Sequence, residues 1–396
     1  MFSLTRARMD TPGCENVIHF NNAGAALMPN PVVAATVGHL YLESQIGGYE
    51  AAATNHHKIE RTYDAAAALI GCSRDEIALT ENATRAWDMA FYSIPFQPGD
   101  RILTCTSEYA SNYLAFLQVA HRTGATIDVI PNDPSGQISI WHLQQMMDER
   151  VKLIAINHIP TNGGLINPAE EIGQVAREAG VLYLLDACQS LGQIPVYVEE
   201  IGCDFLSATS RKYLRGPRGV GFLYVYQERI SQMEPPLIDL QAADWIAPNA
   251  YRLHETARRF ETWESNVAGR IGLGVALDYL LELGIEETSA RLCTLAENVR
   301  QKLTAIPGVV VHDLGERHGG IVTFTVAGQE VAQVKQKLAD QRINVSVSGP
   351  FAARLDMDAR QLPGLVRASL HYYNNEQEIE TFCAAIETIA QTASFH

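Results

Sequence analysis

The sequence predicts an α/β fold: a large domain built on a mostly parallel, seven-stranded sheet, followed by a small α+β domain at the C-terminal end. Three observations carry this. Between about residues 60 and 230, seven short β-type runs alternate with helical patterns. Most of those runs are continuously apolar, without the alternation of a half-solvated strand, so both faces are expected to be covered. The chain has 396 residues, well beyond the roughly 150 of an average domain, which leaves room for a second unit.

The elements follow in chain order. Residues 1–30 and 31–70 read as a loop and then helical stretches, closing on TYDAAAALIG at 62–71. Strands are expected at 76–80 (EIALT), 101–106 (RILTCT), 126–131 (TIDVIP), 153–159 (LIAINHI), 181–186 (VLYLLD), 204–208 (DFLSA) and 221–225 (GFLYV). Helices are expected between them at 84–93, 112–123, 140–148 and 169–179. In such sheets ligands sit outside the carboxyl ends of the strands. After a polar and aromatic tract at 237–265, a helix at 270–283 leads into the second unit. That unit reads as helix 297–306, strand 320–326, helix 330–341, strands 343–348 and 365–370, and helix 377–391.

Composition excludes several classes. With 47% hydrophobic and 19% charged residues the chain is neither disordered nor fibrous. A net charge of −15 repels phosphate backbones, so no nucleic-acid partner is expected. No apolar run approaches the ~20 residues that cross a bilayer, and the start, MFSLTRARMD, lacks a signal-peptide core. Cys14, Cys72, Cys105, Cys188, Cys203, Cys293 and Cys383 are scattered, never spaced C-x-x-C, and odd in number. That usage fits free thiols in a reducing compartment, and a cytoplasmic location is expected. His56 and His57 point to different faces of a helix, so no metal is expected. Gly216–Gly221 lacks the strand–G-x-G-x-x-G–helix order of a dinucleotide site.

Four places carry chemistry. Asp186 ends an apolar strand, where its carboxylate reaches the active edge of a sheet or caps the next helix. Lys212 lies in SATSRKYLRGPRGVG, a glycine- and proline-bearing loop after a strand, open to a ligand or simply solvated. Asn82, Ala83 and Thr84 open a helix, a natural anion site as well as an ordinary cap. Arg367 sits among Leu365, Val366 and Leu370, where a planar guanidinium clamps a carboxylate or closes an internal ion pair. Together these are the parts of a pyridoxal-phosphate site acting on amino acids: a Schiff-base lysine, an acid for the pyridine nitrogen, a phosphate cradle and a carboxylate clamp.

At this point the sequence resembles the class V aminotransferase family of fold-type-I pyridoxal-phosphate enzymes. That family includes cysteine desulfurases, cystine and hercynylcysteine-sulfoxide C–S lyases, and isopenicillin N epimerase. The likeness runs from HFNNAGAALMP (19–29) to RASLHYYNNEQEI (367–379) and is most specific in LLDACQSLG (184–192) and ATSRKYLRGPRGVGFLYV (208–225). The resemblance implies residues 31–262 as the cofactor-binding domain, with 1–30 and 263–396 forming the small domain. It implies Lys212 as the Schiff-base and catalytic residue, Asp186 at the pyridine nitrogen and Gln189 at the ring hydroxyl. Ala83, Thr84, Thr209 and Arg211 are then expected at the phosphate, and Tyr109 against the ring. Ser265 matches a hydroxyl residue that reaches the phosphate of the neighbouring subunit, which implies a homodimer with sites at the interface. Arg367 is expected at the substrate carboxylate, and Asn22 and Asn162 along the substrate pocket.

Two departures shape the expected reaction. Desulfurases carry a mobile cysteine before the carboxylate-binding arginine, and NVSVSGPFAARLDMDARQLPGLVRAS contains none. A persulfide mechanism needs an exposed thiolate, so a desulfurase is not the first expectation. Tyr109 stands where desulfurases have a histidine; it keeps the aromatic face but, with an ordinary pKa near 10, shuttles protons poorly at neutral pH. The expected activity is therefore β-elimination from cysteine, cystine or an S-substituted cysteine, giving pyruvate, ammonia and a sulfur product. An aminotransferase or epimerase using the same residues is the alternative.

Overall fold

Seven strands form the central sheet of the computed structural model, which describes residues 2–393. They are Ile77–Thr80, Arg101–Cys105, Thr126–Ile130, Val151–Asn157, Leu182–Asp186, Phe205–Thr209 and Gly221–Val225, each close to an expected run. Across the sheet the order is 77–80, 221–225, 205–209, 182–186, 151–157, 101–105, 126–130. Only Gly221–Val225 runs antiparallel to its neighbours. The register pairs Asn157 with Asp186 and Asp186 with Ser207, so three polar residues stand abreast near the carboxyl edge.

Burial explains the unbroken apolar runs. Along Leu182–Asp186, Leu184 enters one core cluster while Tyr183 and Leu185 enter the other. Leu153 and Ala155 alternate with Ile154 and Ile156 in the same way. One cluster is roofed by helices Ala83–Phe91 and Ala110–Thr123 through Trp87, Phe91 and Phe116. The other is covered by Ala169–Ala179 through Ile172 and Val175, and by His56–Ile70. Apolar area on both faces, at roughly 25 cal/mol per Å², is what holds such a sheet together.

A second, four-stranded sheet has the order Val309–Val311, Ile321–Val326, Leu365–Ser369, Ser346–Ser348, all antiparallel. Ile285–Thr304, Val331–Ala339 and Glu376–Ala393 are its helices. The strand expected at 343–348 is divided. Ile343–Asn344 pairs with the N-terminal strand Ile18–His19, whereas Ser346–Ser348 pairs with Leu365–Ser369. The same stretch of chain changes partner, which an apolar run does not reveal. The tract at 237–265 contains a hairpin, Ala243–Ala247 with Ala250–Leu253, whose Trp245 and Ile246 stand in solvent. No helix among the described residues is long and apolar enough to cross a membrane.

Candidate active site

A cavity of about 400 Å³ opens at the carboxyl edge of the large sheet. Each wall follows from local structure. Asp186 ends its strand and is 7% exposed; three donors hold its carboxylate. Asn112 Nδ2 and Asn157 Nδ2 both donate to Oδ2 at 3.0 Å, and the Cys188 amide donates to Oδ1 at 2.9 Å. Lys212 and Arg211 enter from the loop after Phe205–Thr209, with Thr209 at its root. Burial pulls the Lys212 ammonium below the ordinary lysine range, and Arg211 adds to the effect while the Cys188 thiol and Asp186 oppose it.

The opposite boundary is the start of helix Ala83–Phe91. The first N–H groups of a helix have no intrahelical partner. Asn82 Oδ1 accepts from Arg85 N at 2.9 Å, which leaves the amides of Ala83 and Thr84 at the cavity wall with the Thr84 hydroxyl. Gly221 makes this possible: a Cβ there would stand 2.4 Å from the Ala208 carbonyl and 3.1 Å from the Ala83 amide. Tyr109 and Gln189 complete the lining. Gln189 donates to the Ala23 carbonyl at 3.3 Å, and its Oε1 is buried without a partner.

These residues fit a phosphorylated pyridine aldehyde. The helix terminus and the Thr84 and Thr209 hydroxyls suit a phosphate, Asp186 suits a protonated ring nitrogen, and the orphaned Gln189 Oε1 suits a hydroxyl donor. Lys212 would be the amine for the aldehyde.

The remaining sequence-derived residues lie off this lining. Arg367 is buried and donates from Nη1 to the Thr161 carbonyl at 2.8 Å and to its hydroxyl at 3.0 Å, while its Nε has no partner. Thr161 itself lines the cavity. Asn162 donates to Asp356 at 2.6 Å and borders a small separate void, so in this geometry it ties the strand-end loop to helix Arg354–Ala359. Asn22 donates to the Ser369 and His19 carbonyls, at 2.7 and 3.0 Å, and fastens the N-terminal segment. Ser265 lies with Glu81, Gly219 and Arg270 around another small void of its own chain.

Besides Thr161, four lining residues escaped the sequence reading. Asn157 ends a strand in register with Asp186, and the strand-end argument that selected Asp186 applies to it equally. Cys188 follows Asp186 by two positions and lines the same cavity. Burial pushes its thiol up, and Lys212 pulls it back. Asn112 donates from one Nδ2 to Asp186 and to Glu108, at 3.0 and 2.9 Å. Ile159 supplies an apolar patch. Behind the wall, Glu108 is 2% exposed and accepts from Thr104 Oγ1 and the Tyr109 amide, both at 2.8 Å. Burial above all, reinforced by the Asp186 charge, pushes its carboxyl up to about 8.

The fold and the cavity together define an α/β enzyme with a buried lysine and a strand-end aspartate beside an anion cradle. The chain belongs to the class V aminotransferase family, whose model matches residues 18–382. A relative from Pyrococcus abyssi, described as a probable cysteine desulfurase, is 30% identical over 393 residues, 97% of either chain. Among solved structures, an apo cysteine desulfurase from Thermococcus onnurineus NA1 superposes with a TM-score of 0.92 at 29% identity, covering 99% of this chain and 100% of that one. The cystine C–S lyase C-DES, solved with its product cysteine persulfide, shares the fold at a TM-score of 0.85 and 24% identity, covering 95% and 99%.

Proposed function

We propose that this chain cleaves the carbon–sulfur bond of a cysteine-derived amino acid, with pyridoxal 5′-phosphate as cofactor. The observation that carries the reading is the meeting of Lys212, Asp186 and the helix terminus at Ala83 and Thr84 in one cavity. When bound, the cofactor supplies an aldehyde for the substrate amine and a ring that draws electrons from Cα. Ala83, Thr84, Thr209 and Arg211 would hold its phosphate, Asp186 its ring nitrogen, Gln189 its hydroxyl and Tyr109 one face.

The chain's own groups then do three things. Lys212, held below the ordinary lysine range by burial, offers a free amine that takes the proton from the substrate Cα. Arg367 fixes the substrate carboxylate, with Thr161 orienting the guanidinium. Asn112 and Asn157 hold the Asp186 carboxylate in place. The sulfur substituent leaves from Cβ, and hydrolysis of the remaining enamine gives pyruvate and ammonia.

A second reading, cysteine desulfurase, is favoured by the relatives' descriptions, against the sequence-based expectation, and by Cys188. The segment before Arg367 has no thiol, yet Cys188 lines the cavity beside Lys212. In that reaction the Cys188 thiolate attacks the substrate sulfur, the C–S electron pair stays on Cβ, and protonation gives alanine and an enzyme persulfide. Transamination or epimerisation by the same residues would yield neither pyruvate nor released sulfur. Purified protein is incubated with cysteine, cystine and S-substituted cysteines, and pyruvate, alanine and sulfide are assayed. Pyruvate that survives Cys188→Ser supports elimination. Alanine with a Cys188 persulfide, both lost in Cys188→Ser, establishes the desulfurase. Release of neither product from any substrate overturns C–S cleavage, and borohydride reduction that adds no mass at Lys212 overturns the cofactor assignment.

A further inference from the structure

Behind the cavity lies a buried acid that the proposed reaction does not use, Glu108. It stands just before helix Ala110–Thr123, and Asn112 follows four residues on, in the first turn of that helix. Glu108 Oε1 accepts from Asn112 Nδ2 at 2.9 Å and from the Tyr109 amide at 2.8 Å. The same Asn112 nitrogen donates its other hydrogen to Asp186 Oδ2 at 3.0 Å. A planar amide nitrogen holds its two hydrogens at a fixed angle, so aiming one of them aims the other. Reversing the amide would turn its oxygen toward two carboxyl oxygens, so only this orientation bonds both. Asn157 is a second strut: Nδ2 donates to Asp186 Oδ2 at 3.0 Å, and Oδ1 accepts from the Tyr109 amide at 2.8 Å. Asp186 Oδ2 thus takes two amide bonds, whereas Oδ1 takes one, from the Cys188 amide at 2.9 Å. The acceptor capacity left on Oδ1 suits a ring nitrogen.

We propose that Glu108 is a positioning residue: by aiming the Asn112 amide at Asp186 Oδ2, it sets which Asp186 oxygen is left for the cofactor's ring nitrogen and how firmly that carboxylate is held. The inference rests on the cofactor reading above. What the place requires is an acceptor, and a second negative charge would oppose Asp186. Burial pushes the Glu108 carboxyl up to about 8, so near neutral pH it is protonated and adds no such charge. A neutral acid still offers an oxygen to Asn112 and Tyr109. Asn112 is itself buried, so without Glu108 one of its N–H groups would lack a partner and the amide would turn to find one. Asp186 would then lose the strut from helix Ala110–Thr123 and keep only that from Asn157.

The test reads cofactor affinity rather than turnover. Full-length chain prepared free of cofactor is titrated with pyridoxal 5′-phosphate by equilibrium dialysis. Glu108→Gln keeps an oxygen for Asn112 and Tyr109 and turns its own amide to the Thr104 hydroxyl, whereas Glu108→Leu keeps much of the volume and removes the acceptor. Glu108→Leu should weaken affinity at least about tenfold, and Glu108→Gln should stay within about threefold of wild type. Asn112→Leu should weaken it as far as Glu108→Leu does. The double variant should be no weaker than Asn112→Leu alone, because both changes act on one bond. Thermal unfolding of each cofactor-free variant verifies its fold, and Glu108→Ala takes the place of Glu108→Leu should the latter not fold. A smaller loss in the acceptor-free variant, Glu108→Gln no better than Glu108→Leu, or losses that add in the double variant overturn the proposal. Wild type that takes up no pyridoxal 5′-phosphate overturns the cofactor reading, and this inference with it.

Discussion

Glu108 and Asp186 share the Asn112 amide. Burial above all, reinforced by the Asp186 charge, keeps the proton on Glu108 against the hydrogen bonds it accepts from Thr104, Asn112 and the Tyr109 amide. The ordinary value for Glu108 is 4.5 and the folded one about 8. Between those limits the folded chain binds a proton that the unfolded chain has released, so stability falls as pH rises through the window. Glu108→Gln keeps the shape and discards the titration. Each pH step of one across that window changes the balance by about 1.36 kcal/mol. In the cofactor-free protein, the stability of the variant relative to wild type should therefore rise by a few kcal/mol from about pH 5 to about pH 8.5. Urea unfolding at both values measures it; parallel slopes for the two proteins would sink the assignment. At the proposed carboxylate clamp, Arg367→Lys loses the planar fork, and KM should rise about tenfold or more while kcat changes less. Steady-state kinetics on whichever substrate proves active will tell.

Among the elements, helix Ala83–Phe91 carries most of the proposed anion cradle and depends on one cap. Asn82→Ala removes the acceptor for Arg85 N. It should cost about 1 kcal/mol of stability and also weaken cofactor retention, seen by calorimetry and by dialysis against phosphate. Such strand-end and helix-start positions were legible in the sequence because buried parallel strands read as unbroken apolar runs, and their ends can be counted. Asp186 and the start of the helix at Ala83 both came from that rule, whereas Thr209 came only from the family resemblance. The Glu108–Asn112 pair was not legible: it depends on side chains of one helix start reaching another strand's terminus. Asn22 and Asn162 show the reverse difficulty. Both sit on segments near the pocket, yet their amides are spent on Ser369 and Asp356. The hairpin within 237–265 stayed hidden because its strands are short and exposed, with no burial pattern to print on the sequence.

For the whole molecule, the exposed apolar side chains concentrate in two parts of the chain. Val37, Leu40, Tyr41 and Ile46 lie on helix Asn30–Ile46, with Tyr49 just after; Trp245, Ile246, Tyr251 and Trp263 occupy the tract that ends at Ser265. Exposed apolar side chains concentrated in this way suit an association face, and the homodimer that the family resemblance implies would cover them. Sedimentation equilibrium should give twice the 43.5 kDa chain mass, and Tyr41→Glu with Ile46→Glu should give the single mass. The N-terminal segment poses a different constraint. Arg215, with φ of 61°, is fully buried three residues after Lys212, and its guanidinium donates to Leu27, Thr11 and Tyr372. Asn22 is bonded to Ser369 and Tyr373. As the chain leaves the ribosome, its opening thirty residues therefore gain long-range anchors once Arg215 has emerged and further ones only with Ser369 and Tyr373. The loop of Lys212 is thus tied to the start of the chain at once but braced from the far end later, so nascent chains released early would lack the Ser369 and Tyr373 side of that brace.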